Sequence, residues 1–127
     1  MKLLLDTHIL LWAGLTPKKL PKTARELITN PDNELFFSAA SLWEITIKNG
    51  LGREDFKIDA RVFRRALLDN GYTELPIRSE HAVSVDMLPQ LHKDPFDRII
   101  LAQAMVEGFT LITADEVLGQ YSGVRLV

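Results

Sequence analysis

The stretch Leu3-Leu4-Leu5-Asp6-Thr7-His8, near the start of the chain, joins an apolar run to a carboxylate. The run Lys2–Leu5 has the length and the continuous apolar character of a buried strand, and a helical pattern follows it. A strand that passes directly into a helix is the first half of a β-α-β unit, which predicts an α/β fold. Asp6 stands at the carboxyl end of the predicted strand, where such sheets bind their ligands.

The rest of the chain repeats this alternation of short apolar runs and helical patterns. Further strands are predicted at Glu34–Phe37, Tyr72–Leu75, Thr110–Thr113 and Val124–Val127. The predicted helices are Asp6–Ala13, closed by Gly14; Lys22–Thr29, begun by Pro21; Ala39–Asn49, closed by a left-handed Gly50; Ala60–Asn70, closed by Gly71; Ser79–Met87, with Ser79 as N-cap; and Pro95–Glu107, with Asp94 as N-cap and Gly108 as the stop. Strands separated by helices imply parallel pairing with right-handed crossovers. We therefore expect residues 1–127 to form a single domain of the three-layer α/β/α class, with a mostly parallel, five-stranded central sheet.

The composition narrows the class of protein. The chain has 127 residues, 46% of them hydrophobic, no cysteine, and a formal net charge of −2. The absence of cysteine excludes disulfides and thiolate metal sites, and no apolar run approaches the roughly 20 residues of a membrane-spanning helix. We therefore expect a cytoplasmic protein. Because a nucleic-acid-binding protein usually has a basic excess, any such binding here would need local basic groups and acids masked by metal.

Four acidic residues lie where an α/β fold would gather them. Asp6 and Asp115 directly follow apolar runs, whereas Glu44 and Asp97 lie on helices with strong apolar faces. Carboxylates set against a hydrophobic core cost free energy unless they hold something positive. A hard divalent cation is the simplest such partner, so the set predicts phosphoryl-transfer or phosphodiester chemistry. If the first and fourth strands are neighbours, Asp6 and Asp115 meet.

Each acid also has a structural interpretation when it is taken alone. Asp6 and Asp115 can cap the turns that follow them, and Asp97 lies near the positive end of a helix dipole. Glu44 precedes Lys48 by four residues, which is the order of a surface ion pair. The cation-site interpretation therefore depends on the four acids as a set.

The remaining chemically capable side chains carry weaker signals. Thr7 and Thr113 are expected either to cap helices or to hold water beside the acids. None of the histidines, His8 included, has the spacing of a metal ligand. Trp12 and Trp43 are expected in the core.

These residues together make the sequence resemble the PIN-domain ribonucleases and, within that family, the VapC-like toxins of bacterial toxin–antitoxin pairs. The matching segments are Leu3–His8, Ser38–Lys48, His92–Arg98 and Leu111–Asp115. The resemblance implies strand order 3-2-1-4-5 and a Mg²⁺- or Mn²⁺-dependent endoribonuclease acting on RNA. It implies that the catalytic and metal-binding residues are Asp6, Glu44, Asp97 and Asp115, with Asp94, Thr7 and Thr113 as possible supporting residues. It also implies a homodimer and an antitoxin partner that blocks the site.

Other functions remain open at this stage. A DNA nuclease or a flap-type nuclease would use the same acids, because the acid cluster does not distinguish the sugars. A receiver-like signalling domain shares the length and the α/β class, but it would usually carry a pair of acids after the first strand. A domain of the same fold kept for binding alone would not need the complete acid set.

Overall fold

The computed structural model of this chain describes residues 1–51, 57–90 and 93–127. Within these ranges the sheet has five strands: β1 Lys2–Leu5, β2 Glu34–Ser38, β3 Thr73–Leu75, β4 Thr110–Thr113 and β5 Val124–Leu126. Their order across the sheet is β3-β2-β1-β4-β5, which confirms the expected order. Every neighbouring pair is parallel, so the sheet is parallel throughout its described strands.

The described helices are α1 Thr7–Leu15, α2 Lys22–Thr29, α3 Ala39–Gly50, α4 Ala60–Asp69, α5 Ser79–Ser84 and α6 Pro95–Glu107. Short 3₁₀ turns follow at Pro17–Lys19, Val85–Met87 and Leu118–Gln120. Among the residues that the structure describes, no helix is both long enough and apolar enough to cross a bilayer.

Packing on both faces of the sheet makes the fold three-layered. The three leucines of β1 are fully buried, and successive side chains of a strand point to opposite faces. Leu4 accordingly belongs to the core that contains Ile100 of α6, whereas Leu5 belongs to the core that contains Ile9 of α1 and Phe63 of α4. β1 is therefore the central strand, and its carboxyl end opens between the two helical layers.

The first helix ends later than the sequence predicts. The prediction placed the end of the helix at Ala13 with Gly14 as its stop, but α1 continues to Leu15. A Cβ on Gly14 would lie only 2.6 Å from Cε1 of Phe63. This glycine therefore allows close packing of α1 against α4 and does not terminate the helix.

Two other predicted helix boundaries were also wrong. Gly50 is the last residue of α3 and does not adopt a positive φ, and Leu51 after it is still right-handed with φ −78°. Ser79 is not the N-cap of α5, because Arg78 occupies that position. The backbone N–H of Arg78 donates to Nδ1 of His81 at 2.9 Å, so a side chain inside the helix satisfies the group before it.

Candidate metal centre and cleft

A cleft of about 460 Å³ opens at the carboxyl ends of β1 and β4. Its lining includes all four acids that the sequence predicts and Asp94. The other described residues of the lining are Thr7, His8, Trp12, Lys48 and Ala114. A larger groove of about 580 Å³ lies between α1 and α4, but it is mostly apolar and contains none of the predicted acids. The chemistry predicted from the sequence therefore belongs to the smaller, acidic cleft.

Asp6 is held in place by donors on two different elements. Its Oδ1 accepts a hydrogen bond from the backbone N–H of Ile9 at 2.8 Å, so Asp6 caps α1. Its Oδ2 accepts a short hydrogen bond from the hydroxyl of Thr113 at the end of β4. The capping interpretation is therefore correct for Asp6, and the same side chain also lines the acidic cleft.

Burial raises the pKa of the Asp6 carboxyl above its ordinary value, because only 4% of the residue is exposed and the charged form is poorly solvated. The hydrogen bonds from Thr113 and Ile9 oppose this rise of the pKa, and so does the charge of His8. The negative charge of Asp115 raises the Asp6 pKa further. The two carboxylates are therefore close enough to repel each other, and a cation between them would relieve both the burial cost and the repulsion.

Thr113 connects the two acids that follow the central strands. Its Oγ1 donates to Asp6 and accepts from the backbone N–H of Asp115 at 3.0 Å. The side chain of Asp115 in turn accepts from the backbone N–H of Val117 at 2.8 Å and from that of Leu118 at 3.4 Å. Asp115 thus caps the following turn while it lines the cleft, as Asp6 does on α1.

Glu44 enters the cleft from α3 and is almost fully buried, with 7% of the residue exposed. Its Oε2 pairs with Nζ of Lys48 at 2.9 Å, so the predicted ion pair exists. Its Oε1 is buried and has no hydrogen-bond partner within residues 1–51, 57–90 and 93–127. A buried carboxylate oxygen without a donor is costly, and this atom therefore points to a positive ligand.

The first turn of α6 brings two further carboxylates to the cleft. Asp94 caps the helix, since its Oδ1 accepts from the backbone N–H of Phe96 at 2.8 Å and from that of Asp97 at 3.3 Å. Asp97 is three residues further along, at the third position of α6, and is half-buried in the cleft lining. Asp94 thus has an identifiable structural role beside its place in the lining.

Both threonines form hydrogen bonds beside the acids. Thr113 holds Asp6 and Asp115, as described above. Thr7 lines the cleft, and its Oγ1 lies 2.9 Å from the buried Oγ of Ser41 on α3. This hydrogen bond ties α1 to α3 beside the acids.

The expectation that both tryptophans lie in the core was wrong for Trp43 and only partly right for Trp12. Trp43 was expected in the core but is 61% exposed, with its ring packed edge-on against Phe96. Trp12 packs only partly on the core, and it lines the cleft together with His8. The signal that could have found this pair is the spacing of four residues, which places His8 and Trp12 on the same side of α1 as the cleft.

The oxygen donors of the cleft fit a hard divalent cation in their chemistry. The partnerless Oε1 of Glu44 and the buried carboxyl of Asp6 are oxygen ligands of the kind that Mg²⁺ and Mn²⁺ prefer. Across the described ranges, no three acidic or histidine side chains already stand close enough to bind one ion together. Mg²⁺ usually retains several water molecules and takes one or two protein carboxylates, which this arrangement can provide.

Comparisons with known proteins converge on one family. The family model described as PIN domain matches residues 3–124. Ribonuclease VapC22 of Mycobacterium tuberculosis (strain ATCC 25618 / H37Rv) is 29% identical over 124 residues, which span 98% of this chain and 95% of that protein.

Solved structures share the fold at low sequence identity. VapBC2 from Rickettsia felis, bound to a DNA fragment from its promoter, matches with TM-score 0.70 and 15% identity over 100% of this chain and 98% of that one. A toxin–antitoxin complex from Klebsiella pneumoniae matches with TM-score 0.62 and 23% identity over 96% of this chain and 94% of that one. At these identities the structural likeness supports the fold alone.

Proposed function

This chain belongs to the PIN-domain family, and on that premise we propose that it is a metal-dependent endoribonuclease and the toxin of a toxin–antitoxin pair. The observation that carries the proposal is the gathering of Asp6, Glu44, Asp94, Asp97 and Asp115 around one cleft at the carboxyl end of β1 and β4. The likeness to Ribonuclease VapC22 over nearly the whole length of both proteins supports RNA as the substrate. Membership of this family also argues against the receiver-like signalling domain that the sequence alone left open.

Asp6, Glu44, Asp97 and Asp115 are the residues that would hold Mg²⁺ or Mn²⁺. A divalent cation supplies two effects at such a site: it lowers the pKa of water, and it offsets negative charge on the phosphate under attack. The chain itself orients the carboxylates. Ile9 N–H and the Thr113 hydroxyl fix both oxygens of Asp6, while Lys48 fixes one oxygen of Glu44 and leaves the other free for a ligand.

The proposal extends to partners and location. If this chain is the toxin of such a pair, its expected partner is a cognate antitoxin, and the structural neighbour from Klebsiella pneumoniae is a toxin–antitoxin complex. We further propose a homodimer that acts in the cytoplasm.

The experiment that tests the proposed function is a cleavage assay on single-stranded RNA and on single-stranded and flap DNA of the same sequence. RNA should be cut with Mg²⁺ or Mn²⁺, and the reaction should stop with EDTA. Asp97→Asn keeps the shape of the side chain and removes its charge, so it should abolish cutting while the circular dichroism spectrum is preserved. Asp86→Asn is the matched control, because Asp86 is exposed and does not line the cleft.

Two outcomes would contradict the proposal. Cleavage that continues in EDTA or in Asp97→Asn would show that the acids do not act through a metal. Cleavage of DNA in preference to RNA would favour the DNA or flap-type nuclease instead.

A further inference from the structure

Within residues 1–51, 57–90 and 93–127, Trp12 is the one large aromatic side chain in the cleft lining, which otherwise consists mainly of acids. Its indole packs partly on the core beside β1, and the residue is half-buried. The ring of His8, one turn earlier on α1, lies 6.0 Å from it, centroid to centroid, with the planes tilted by 53°. His8 is itself exposed and lines the same cleft. The two rings therefore form one aromatic wall next to Asp6, the N-cap of the same helix.

The cleft is rich in negative charge, which repels an anionic substrate, so the uncharged contacts that the aromatic wall can offer become important. Among the residues that the structure describes, the lining contains five carboxylates and one lysine, Lys48. Lys48 lies 2.9 Å from Glu44, so part of its charge is already offset within the protein. One or two divalent cations would reduce the repulsion without reversing it over the whole cleft. Contacts that do not depend on charge would therefore add to the affinity for the nucleotides beside the cut.

Base stacking is the contact that suits these residues. Every nucleobase has an aromatic face, and unpaired bases in RNA are recognised by stacking on aromatic side chains. A base in a duplex is already stacked on its neighbours and cannot lie on a protein ring without being extruded, which costs free energy. A half-buried indole is also pre-ordered, because its packing on the core limits its rotamers.

We propose that Trp12, supported by His8, is the platform on which an unpaired base next to the cleaved phosphate stacks. This inference rests on the proposed function and names a residue that would bind its substrate. Trp12 is a binding residue in this scheme and takes no part in proton transfer. Loss of its ring should therefore affect KM more than kcat.

Fluorescence gives a test that does not depend on cleavage. The chain has two tryptophans, so Trp43→Phe leaves Trp12 as the sole indole. Asp97→Asn in the same protein prevents cutting during the measurement. With Mg²⁺ present, a short single-stranded RNA of randomised sequence should quench the emission of Trp12. The same RNA in a duplex with its complement should not, and neither should an abasic ribose-phosphate strand of equal length.

Kinetics with matched variants give the second test. Trp12→Leu should raise KM for single-stranded RNA by about five- to a hundredfold, the range expected for the loss of one stacked base, with a smaller change in kcat. Trp12→Phe should keep most of the affinity, and His8→Ala should weaken it less than Trp12→Leu does. Trp43→Leu is the control, because Trp43 is outside the cleft lining and its loss should leave KM unchanged.

The outcomes separate this inference from the proposed function. RNA cleavage with an unchanged KM in Trp12→Leu, or equal quenching by the abasic strand, would overturn the stacking platform and leave the nuclease intact. Quenching by single-stranded RNA without cleavage by the wild type would support the platform and overturn the nuclease. If Trp12→Leu fails to fold, as judged by its thermal melt, the fluorescence test and Trp12→Phe still decide the question.

Discussion

The hydroxyl of Thr113 donates a hydrogen bond to Oδ2 of Asp6 across the two central strands of the sheet, and both side chains are buried. The same hydroxyl oxygen accepts from the backbone N–H of Asp115. Thr113 is thus a positioning residue that sets the separation of two carboxylates, although it does not line the cleft itself.

The first prediction concerns this bridge. Thr113→Val has a similar shape but leaves Asp6 Oδ2 without its donor and the N–H of Asp115 without its acceptor. Loss of the hydroxyl should destabilise the protein by about 1–3 kcal/mol, measured by urea denaturation. It should also raise the Asp6 pKa, because the Thr113 hydrogen bond lowers it, and so move the acidic limb of the pH–rate profile to higher pH. Thr113→Ser keeps the hydroxyl, so it should retain both the unfolding free energy and the pH–rate profile of the wild type. If Thr113→Ser is as impaired as Thr113→Val, the methyl group and not the hydroxyl is responsible.

The second prediction concerns stability against pH without metal. The pKa of Asp6 is raised in the folded protein, mainly by burial, so its contribution to stability is fully present below its unfolded pKa and is lost as pH rises through the folded pKa. Asp6→Asn does not titrate and can still accept from Ile9. In EDTA, the variant should therefore become increasingly more stable than the wild type as the pH rises above about 4. The measurement is the unfolding free energy from urea titrations between mildly acidic and neutral pH. If Asp6→Asn is less stable than the wild type at neutral pH, Asp6 has a purely capping role.

The third prediction concerns metal binding. A ligand that binds only the folded state stabilises it by mass action, by about 2.7 kcal/mol at a hundred times its Kd. Mn²⁺ should therefore raise the Tm of the wild type in a concentration-dependent manner. The response should be reduced in Asp6→Asn and in Glu44→Gln and retained in Asp86→Asn. An equal Mn²⁺ response in all four proteins would place the ion elsewhere.

The fourth prediction concerns the ion pair inside the cleft. Lys48 occupies one oxygen of Glu44 and places a positive charge beside the proposed cation site. Lys48→Met removes this charge, and even a fully solvated unit charge at about 4 Å contributes about 1 kcal/mol. Mn²⁺ should therefore bind at least about fivefold more tightly to the variant, measured by calorimetry at low salt. Lys22→Met on the exposed surface of α2 is the control, and weaker Mn²⁺ binding by Lys48→Met would mean that the lysine holds Glu44 in its binding position.

The fifth prediction concerns the proposed antitoxin. Without metal, the acidic cleft is a strongly negative site that an arginine or lysine of a partner can neutralise by charge-assisted hydrogen bonds. The chain expressed alone should arrest growth, and co-expression with an antitoxin encoded by the gene immediately upstream should relieve the arrest. Antitoxin binding should weaken as Mg²⁺ rises and weaken again in Asp97→Asn. Affinity unchanged by both would mean that the partner covers another surface of the protein.

Several features of the fold could be read from the sequence because their causes are local. The start of α6 at Asp94 and Pro95 and its stop at Gly108, which has φ 71°, were predicted correctly, since capping depends on atoms within one turn. The family was also identified from short segments, and the match of its model to residues 3–124 confirms it. Gly14 was misread because its role depends on Phe63, which is distant in the sequence.

For the candidate site, the sequence determined which side chains are present and which strand ends they follow. Spacing could not decide the roles of Asp6, Glu44 and Asp115. It is compatible with helix caps and an ion pair, and equally with positions in a cleft. Only the tertiary structure shows that the same carboxylates do both, since each has two oxygens and the parallel order of β1 and β4 brings their ends together. The same long-range packing left Trp43 exposed and placed Trp12 at the cleft, because burial depends on which elements meet and not on the hydrophobicity of the residue alone.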